Sequence, residues 1–481
     1  GGIFSSGSTI EVKNVDFSNN SSPNNGAAIN SVESTVKVQN STFNLNTCNS
    51  LGGAIFVDPL TTCEIYNSSF TNNEAWHGGA IATIGGGKLL VKGCSISNNN
   101  AAGYNSNVNN NYPTFGGGGG IYQEWSDNLE IYDTEIINNT AENGAGGGIA
   151  IYLSNDIIID NVILDNNSSS GTNHPSGGGG VAFYRVDNIL FENSTISNNI
   201  SNDNSGGGIF LGSESGNAAI VVNATFNKLS IFKNRGMSGG GIFCWSAILN
   251  LYNSTIAQNT ATDIDWSGGG LASHYVARPN IINSLFWNNS PNSIKNGYPQ
   301  TPISVSYSLL QEQWAGDGNL IGVNPLFVNT ANEDFSLHMN SPCIDVGTAD
   351  MDQDGTDDIL EYHGDAPDMG AFEFESDVVN DVGSEIVIPG IFALHQNYPN
   401  PFNPTTKIRY DLPKSKFVSL YIYDVVGHKI KSLININKEA GRRSITWDAT
   451  NDLGQAVPAG MYIYTIQAGE FRQTKKMILL K

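Results

Sequence analysis

A chain of 481 residues with 14% charged side chains, 54 glycines and asparagine at roughly one position in eight cannot be all-helical, because Gly and Asn are both poor helix formers. The glycines do not fall on every third position, which excludes collagen, and apolar residues recur at regular intervals, which excludes simple disorder. Charge divides sharply: residues 1–380 hold 10 Lys+Arg and 37 Asp+Glu, net −27, while residues 381–481 hold 13 and 8, net +5. The acidic part is a poor partner for nucleic acid, which needs a basic surface, and it suits divalent cations instead. No run of about 18 apolar residues is present to span a membrane. The five cysteines, Cys48, Cys63, Cys94, Cys244 and Cys343, are odd in number and lack metal-site spacing, so they read as buried free thiols.

Residues 1–290 are about ten repeats of one unit. A Gly-rich apolar signature ends at Ile3, Ile29, Ile55, Ile81, Ile121, Ile149, Val181, Ile209, Ile242 and Leu271. A second signature, apolar-x-x-Asn, supplies Asn20, Asn46, Asn73, Asn99, Asn139, Asn167, Asn199, Asn234, Asn259 and Asn289. Short alternating runs such as Leu129-Glu130-Ile131 lie between the two signatures. Each run is too short to bury its apolar face alone, and stacking coils at about 4.8 Å buries a continuous core. The pattern predicts an all-β parallel solenoid, with Gly allowing tight turns and Asn stacking into a side-chain ladder. The chain opens at Gly1-Gly2-Ile3, inside a repeat, and reads as a processed or truncated product.

Gly52-Gly53-Ala54-Ile55 and Gly79-Ala80-Ile81, each followed by Phe or Ile-x-x-Asn, resemble the GGAI and FxxN repeats of polymorphic outer-membrane proteins. That resemblance implies a right-handed parallel β-helix, often an adhesin. The membrane barrel that ends those proteins has no counterpart in this chain, so its secretion is expected to differ.

If the first residue of each leading strand points inward, residues one and three later point outward. Tyr122, Glu124, Tyr152, Tyr184, Phe210, Phe243, Trp245 and His274 then form an exposed aromatic column, suited to sugar faces or simply to a stabilising stack. Insertions gather at one turn, around residues 100–117 with Tyr104, Tyr112 and Phe115, and equivalent turns carry Trp76, His77, His174, Asp263, Asp265 and Trp266. Solenoid insertions commonly mark a binding face. The ligand-binding set is therefore Tyr122, Tyr152, Tyr184, Phe243, Trp245, Trp76 and Trp266.

Catalysis is the alternative, because β-helix proteins include pectate-lyase-like and polygalacturonase-like enzymes. Arg185, beside Tyr184 and Asp187, is the best single basic candidate for neutralising a uronate. Asp127, Asp156 and Asp187 recur at nearly one turn position, where they read either as stacked carboxylates or as Asx-turns.

Residues 291–375 keep β character without the clear repeat and read as last coils and a cap. Within them, Asp350-x-Asp352-x-Asp354-Gly355-x5-Glu361 matches a calcium-loop pattern. Asp350, Asp352, Asp354, Asp358 and Glu361 offer carboxylates, and Thr356 its carbonyl, as hard oxygens for a structural Ca2+. Flanking helices are not evident, so the loop is not read as part of an EF-hand pair. The bland reading is an acidic solvated turn.

Residues 376–392 read as a linker, and residues 393–481 as a small Ig-like β-sandwich of alternating strands. Asn397-Tyr398-Pro399-Asn400-Pro401-Phe402-Asn403-Pro404, Trp447, Gly460-Met461-Tyr462 and the terminal Lys475-Lys476-Met477-Ile478-Leu479-Leu480-Lys481 resemble the type A C-terminal sorting domain of the type IX secretion system. The resemblance implies secretion machinery as a partner and a place outside, or on the outer-membrane surface of, a Bacteroidetes-like Gram-negative bacterium. The sequence-level expectation is a secreted or surface-displayed, adhesin-like protein binding polysaccharide. The alternative is a polysaccharide lyase or glycoside hydrolase acting on acidic polysaccharide.

Overall fold

A computed structural model describes residues 2–85, 87–103, 116–171, 177–202, 204–213, 222–263, 267–352, 354–360, 362–374, 392–394, 397, 400, 402, 404–438, 441–452 and 455–480. The chain divides into two compact units, Gly1–Phe374 and Glu375–Lys481.

The first unit is a parallel solenoid. Its first sheet has 11 strands, from Ile3–Ser6 to Ile294–Asn296, and its second has 11, from Thr9–Lys13 to Ser304–Ser306. The third has 12, from Asp16–Ser18 to Leu320–Ile321. A fourth sheet of nine two-residue strands, Ser21–Ser22 to Thr260–Ala261, follows the Asn positions. Register follows the repeat: Ile121 pairs with Ile149, Ile149 with Val181, and Val181 with Ile209. Three runs per repeat were legible in the sequence. The fourth strand was not, because two residues carry no periodicity.

Stacking places like on like. Phe17, Phe43 and Phe70 stack in the core with centroids 4.9 and 4.6 Å apart. The expected Asn ladder is present and buried. Asn139 takes its amide hydrogens to Asn167 Oδ1 through both the backbone N (2.9 Å) and Nδ2 (3.0 Å), and Nδ2 also donates to the Ile96 carbonyl at 2.9 Å. Each buried amide is thereby satisfied by the coils on either side. The paired glycines serve two needs. Gly118 holds a φ of +65°, and at Gly119 a Cβ would lie 2.2 Å from the Gly147 carbonyl oxygen and 2.6 Å from the Thr140 nitrogen. All five cysteines are free and buried.

A left-handed residue closes the corner after every second-sheet strand: Asn14, Asn40, Asn67, Gly93, Asp133, Asn161, Asn193, Lys228, Asn253, Asn283 and Tyr307. Asn tolerates this conformation better than most side chains, so corner duty accounts for part of the Asn content.

Residues 291–321 add the last strands to the three long sheets. Trp314 packs against the end of the core, and Asn319 bonds Ser308 N and Val305 O, both at 3.0 Å. The described residues of 324–374 then turn back along the outer face of the third sheet. Phe335 packs on Phe232 with centroids 4.8 Å apart, and Lys233 Nζ meets Glu333 Oε1 at 2.7 Å. Ala371 N donates to Thr255 Oγ1, and Thr348 N to Asn283 Oδ1. Apolar residues on that outer face, Leu285 and Leu309, make the fold-back favourable by burying it under Leu337, Cys343 and Met369.

The second unit holds an antiparallel sheet of Ala393–Leu394, Thr406–Leu412 and Gly441–Trp447, and a four-stranded sheet of Lys429–Lys438, Lys416–Asp424, Gly460–Ala468 and Phe471–Leu479. Trp447 is fully buried against Phe402 and Tyr462, and its Nε1 donates to the Thr450 carbonyl at 2.9 Å. This is a small β-sandwich. Among the described residues no helix is long and apolar enough to cross a membrane.

Candidate functional site

The expected exposed aromatic column is instead a second buried layer. Tyr122, Tyr152, Tyr184, Phe210 and Phe243 are 0 to 3% exposed. Strand alternation does send them to the outer face of the first sheet, but that face is covered. The chain entering each Gly cluster lies over it, joined coil to coil by the bridges Leu51 to His77 and Gly117 to Ala145. Tyr152 Oη donates to the Gly116 carbonyl at 2.9 Å, and the His77 ring stacks on Tyr122 at 5.3 Å. Burial pushes the His77 imidazole down to about 4, so it is neutral and accepts from Gly117 N. Glu124 is buried in the same layer and accepts from Tyr122 Oη at 2.9 Å; burial pushes its carboxyl up to about 7, against the pull of that hydrogen bond.

The carboxylates weighed for catalysis are committed to the coil stack. Asp127 Oδ1 accepts from the backbone N and Nδ2 of Asn155, both at 3.0 Å. Asp156 accepts from Asn188 Nδ2, and Asp187 from Asn223 Nδ2 at 2.6 Å. They alternate with asparagine amides from coil to coil up the corner. Arg185 occupies a left-handed corner at φ +52°, with its guanidinium 5.8 Å from the Tyr184 ring centre.

Aromatic surface is exposed nearer the end of the solenoid. Trp245 is half-buried, and its ring stacks on Tyr275 at 4.5 Å and 20°. Tyr275 continues to Tyr298 at 6.3 Å and 13°. Tyr275 is 42% exposed and Tyr298 43%. Tyr275 is a left-handed corner residue, outside strand alternation, and Tyr298 follows the last first-sheet strand, so periodicity reached only Trp245. The Tyr298 loop is fixed by Asn296 Nδ2 donating to Thr301 O and Thr301 Oγ1 donating to Tyr275 O. Trp76 is half-buried in its turn. Trp266, Tyr104, Tyr112, Phe115, His174 and Asp265 lie outside the described residues.

In the acidic loop, carboxylate oxygens of Asp350, Asp352 and Asp358 lie within 4.8 Å of one another. The loop is shaped by its own backbone: Gly355 N donates to Asp350 Oδ2 at 2.9 Å, Met351 N to Asp358 Oδ2 at 2.8 Å, and Thr356 N to Asp354 Oδ1 at 2.8 Å. Asp354 thus faces its own turn, and Glu361 lies outside the described residues. The donors are hard oxygens, the kind Ca2+ takes.

Comparison with known proteins places both parts. Residues 396–480 match the secretion system C-terminal sorting domain, and residues 14–32 match the Chlamydia polymorphic membrane protein repeat. The chain is a secreted or cell-surface parallel β-helix protein. Its C-terminal domain is the sorting signal of the type IX secretion system, which implies that machinery as a partner and a Bacteroidetes source. No curated protein matches the chain. Among solved structures, dimeric latent PorU from Porphyromonas gingivalis aligns at 23% identity and a TM-score of 0.16, over 20% of this chain and 10% of its own. PorZ, described as an essential bacterial surface component of the type IX secretion system of the same organism, aligns at 18% and 0.14, over 19% and 11%. The chain therefore spans about a tenth of either.

Proposed function

We propose that this protein is an adhesin-like, surface-displayed binder of polysaccharide. The stacked, part-exposed rings of Trp245, Tyr275 and Tyr298 carry the reading. Nearly parallel rings stacked in a row present their exposed edges, the outer ring face and the tyrosine hydroxyls to sugar C–H and hydroxyl groups. Such a row is better fitted to holding a chain than to cutting one, and the carboxylates weighed for catalysis are occupied by asparagine amides. The test is retention on immobilised polysaccharides. Tyr275→Ala with Tyr298→Ala is expected to lose retention with an unchanged melting temperature, since both side chains are exposed. Full retention by the double variant sinks the reading.

The acidic loop is proposed to take Ca2+ as a structural ion, through Asp350, Asp352 and Asp358, with Asp354, Thr356 and Glu361 as the remaining donors of the sequence pattern. Among the described residues no Lys or Arg forms an ion pair with these carboxylates. Calcium is expected to raise the melting temperature of the wild type and not of Asp350→Asn with Asp352→Asn; equal behaviour of the two rules the ion out.

A further inference from the structure

A second site is built into the corner between the second and third sheets. Ten of the eleven corner residues there carry side chains, and the fourth is Gly93. Two pairs of these side chains bond from coil to coil, Asn161 Nδ2 donating to Asp133 Oδ1 at 2.8 Å and Asn283 Nδ2 to Asn253 Oδ1 at 3.0 Å, while Asn193 Nδ2 donates to the strand residue Asp160 at Oδ1, 2.8 Å away. At Gly93 the corner carries no side chain. An open groove of about 540 Å³ occupies the gap, lined by Asn40, Asn67, Gly93, Asp133 and Glu135 among others. Among the described residues the amides of Asn40 and Asn67 and the Glu135 carboxylate have no hydrogen-bond partner. These exposed side chains line the groove. Tyr66 and Tyr132, the residues before Asn67 and Asp133, stand half-buried on the adjoining outer sheet face, with Lys92 Nζ 5.6 Å from the Tyr132 ring centre.

We infer that this groove is a second saccharide site, selective for neutral sugars. Amide and carboxylate groups together match hydroxyls, which both donate and accept. The two lining carboxylates disfavour an acidic sugar, and the nearby cations are engaged, Lys92 with Asp133 Oδ2 at 3.6 Å and Lys37, over the Tyr66 ring, with Glu64 Oε2 at 3.9 Å. The ligand class rests on the polysaccharide-binding reading; the groove does not depend on the Trp245, Tyr275 and Tyr298 platform.

Gly93→Asn tests it. The corner φ of +65° suits Asn, and the new Cβ would meet only Asn67 Oδ1 at 2.5 Å, the movable end of a side chain. The variant is expected to fold, restore a side chain at that corner and fill the groove. Calorimetric titration of the full chain with xylohexaose, mannohexaose, maltohexaose and, as an acidic control, hexagalacturonate is expected to show two sites for a neutral probe and weaker binding of the acidic one at the groove. Gly93→Asn is expected to remove one site, and Tyr275→Ala with Tyr298→Ala the other. Unchanged stoichiometry and affinity in a folded Gly93→Asn overturns the groove while leaving the aromatic platform standing. Loss confined to Gly93→Asn overturns the platform instead, and a wild type that binds no probe overturns both. Asn67→Ala with Asn40→Ala, which cannot crowd the corner, gives an independent check: it is expected to weaken the groove site, and unchanged binding there counts against it.

Discussion

Tyr122 gives its phenolic hydrogen to Glu124 two residues along the same strand, 2.9 Å from Oε2, and both side chains are sealed beneath the next layer of chain. Burial in that position favours the protonated carboxyl. Its folded value is about 7 against 4.5 for the ordinary group, so the folded state binds the proton more tightly than the unfolded one. Glu124 therefore adds no penalty below about pH 4.5. It destabilises increasingly as pH rises through 7, to an order of about 3 kcal/mol. Glu124→Gln keeps an acceptor for Tyr122 and removes the ionisation. The difference in unfolding free energy between variant and wild type is expected to grow from pH 5 to pH 8 in the variant's favour. A pH-independent difference contradicts the buried-acid assignment.

The Asn ladder sets a second expectation. Asn139→Ala strips the donor from the Ile96 carbonyl and the acceptor from Asn99, which donates to Asn139 Oδ1 through N and Nδ2 at 3.0 and 2.9 Å. Buried groups left unpaired cost about 1 to 3 kcal/mol each. Denaturant melts should show a loss of about 3 kcal/mol, and Asn139→Asp should lose comparably because it restores no donor. A loss under about 0.5 kcal/mol would mean the ladder contributes little.

Gly119→Ala is the severest single change on the first turn. Its Cβ would press on backbone atoms of two neighbouring coils, which no rotamer relieves. The cost should exceed about 4 kcal/mol, in the range reserved for core disruption. Soluble, fully cooperative Gly119→Ala with native melting temperature would mean the coil spacing there is wrong.

The cysteines should be silent in the native state. Burial pushes the Cys63 thiol up to about 12 and the Cys94 thiol to about 11, so neither offers thiolate or access. A thiol reagent is expected to label the folded chain at a rate set by unfolding, and to label all five after denaturation. Rapid native labelling of any one would place it at the surface.

The repeat, the parallel stacking, the Asn ladder and the sorting sandwich were legible because each rests on a recurring residue with one physical job. Asn139 must satisfy buried amides, and Gly119 must let two strands pass. The column at Tyr122, Tyr152 and Tyr184 was placed on the correct sheet face and given the wrong environment. Alternation states which face a side chain takes, not whether another layer covers it, and the covering row around His77 and Gly117 has no period of its own. Tyr275 and Tyr298 escaped for a related reason, since one is a corner residue and the other lies in a loop. Gly93 was visible only as one more glycine; its meaning came from the side chains at every equivalent corner.

The fold-back of residues 324–374 changes how the solenoid comes apart. Elsewhere each coil grips only the ones directly above and below, so unravelling can advance one rung at a time. The returning segment fastens Lys233, Thr255 and Asn283, in three successive coils, to a single strip of chain. Those rungs must release together. A chain displayed outside the cell and pulled by whatever it holds would lose its early coils gradually and then stop at a clasp.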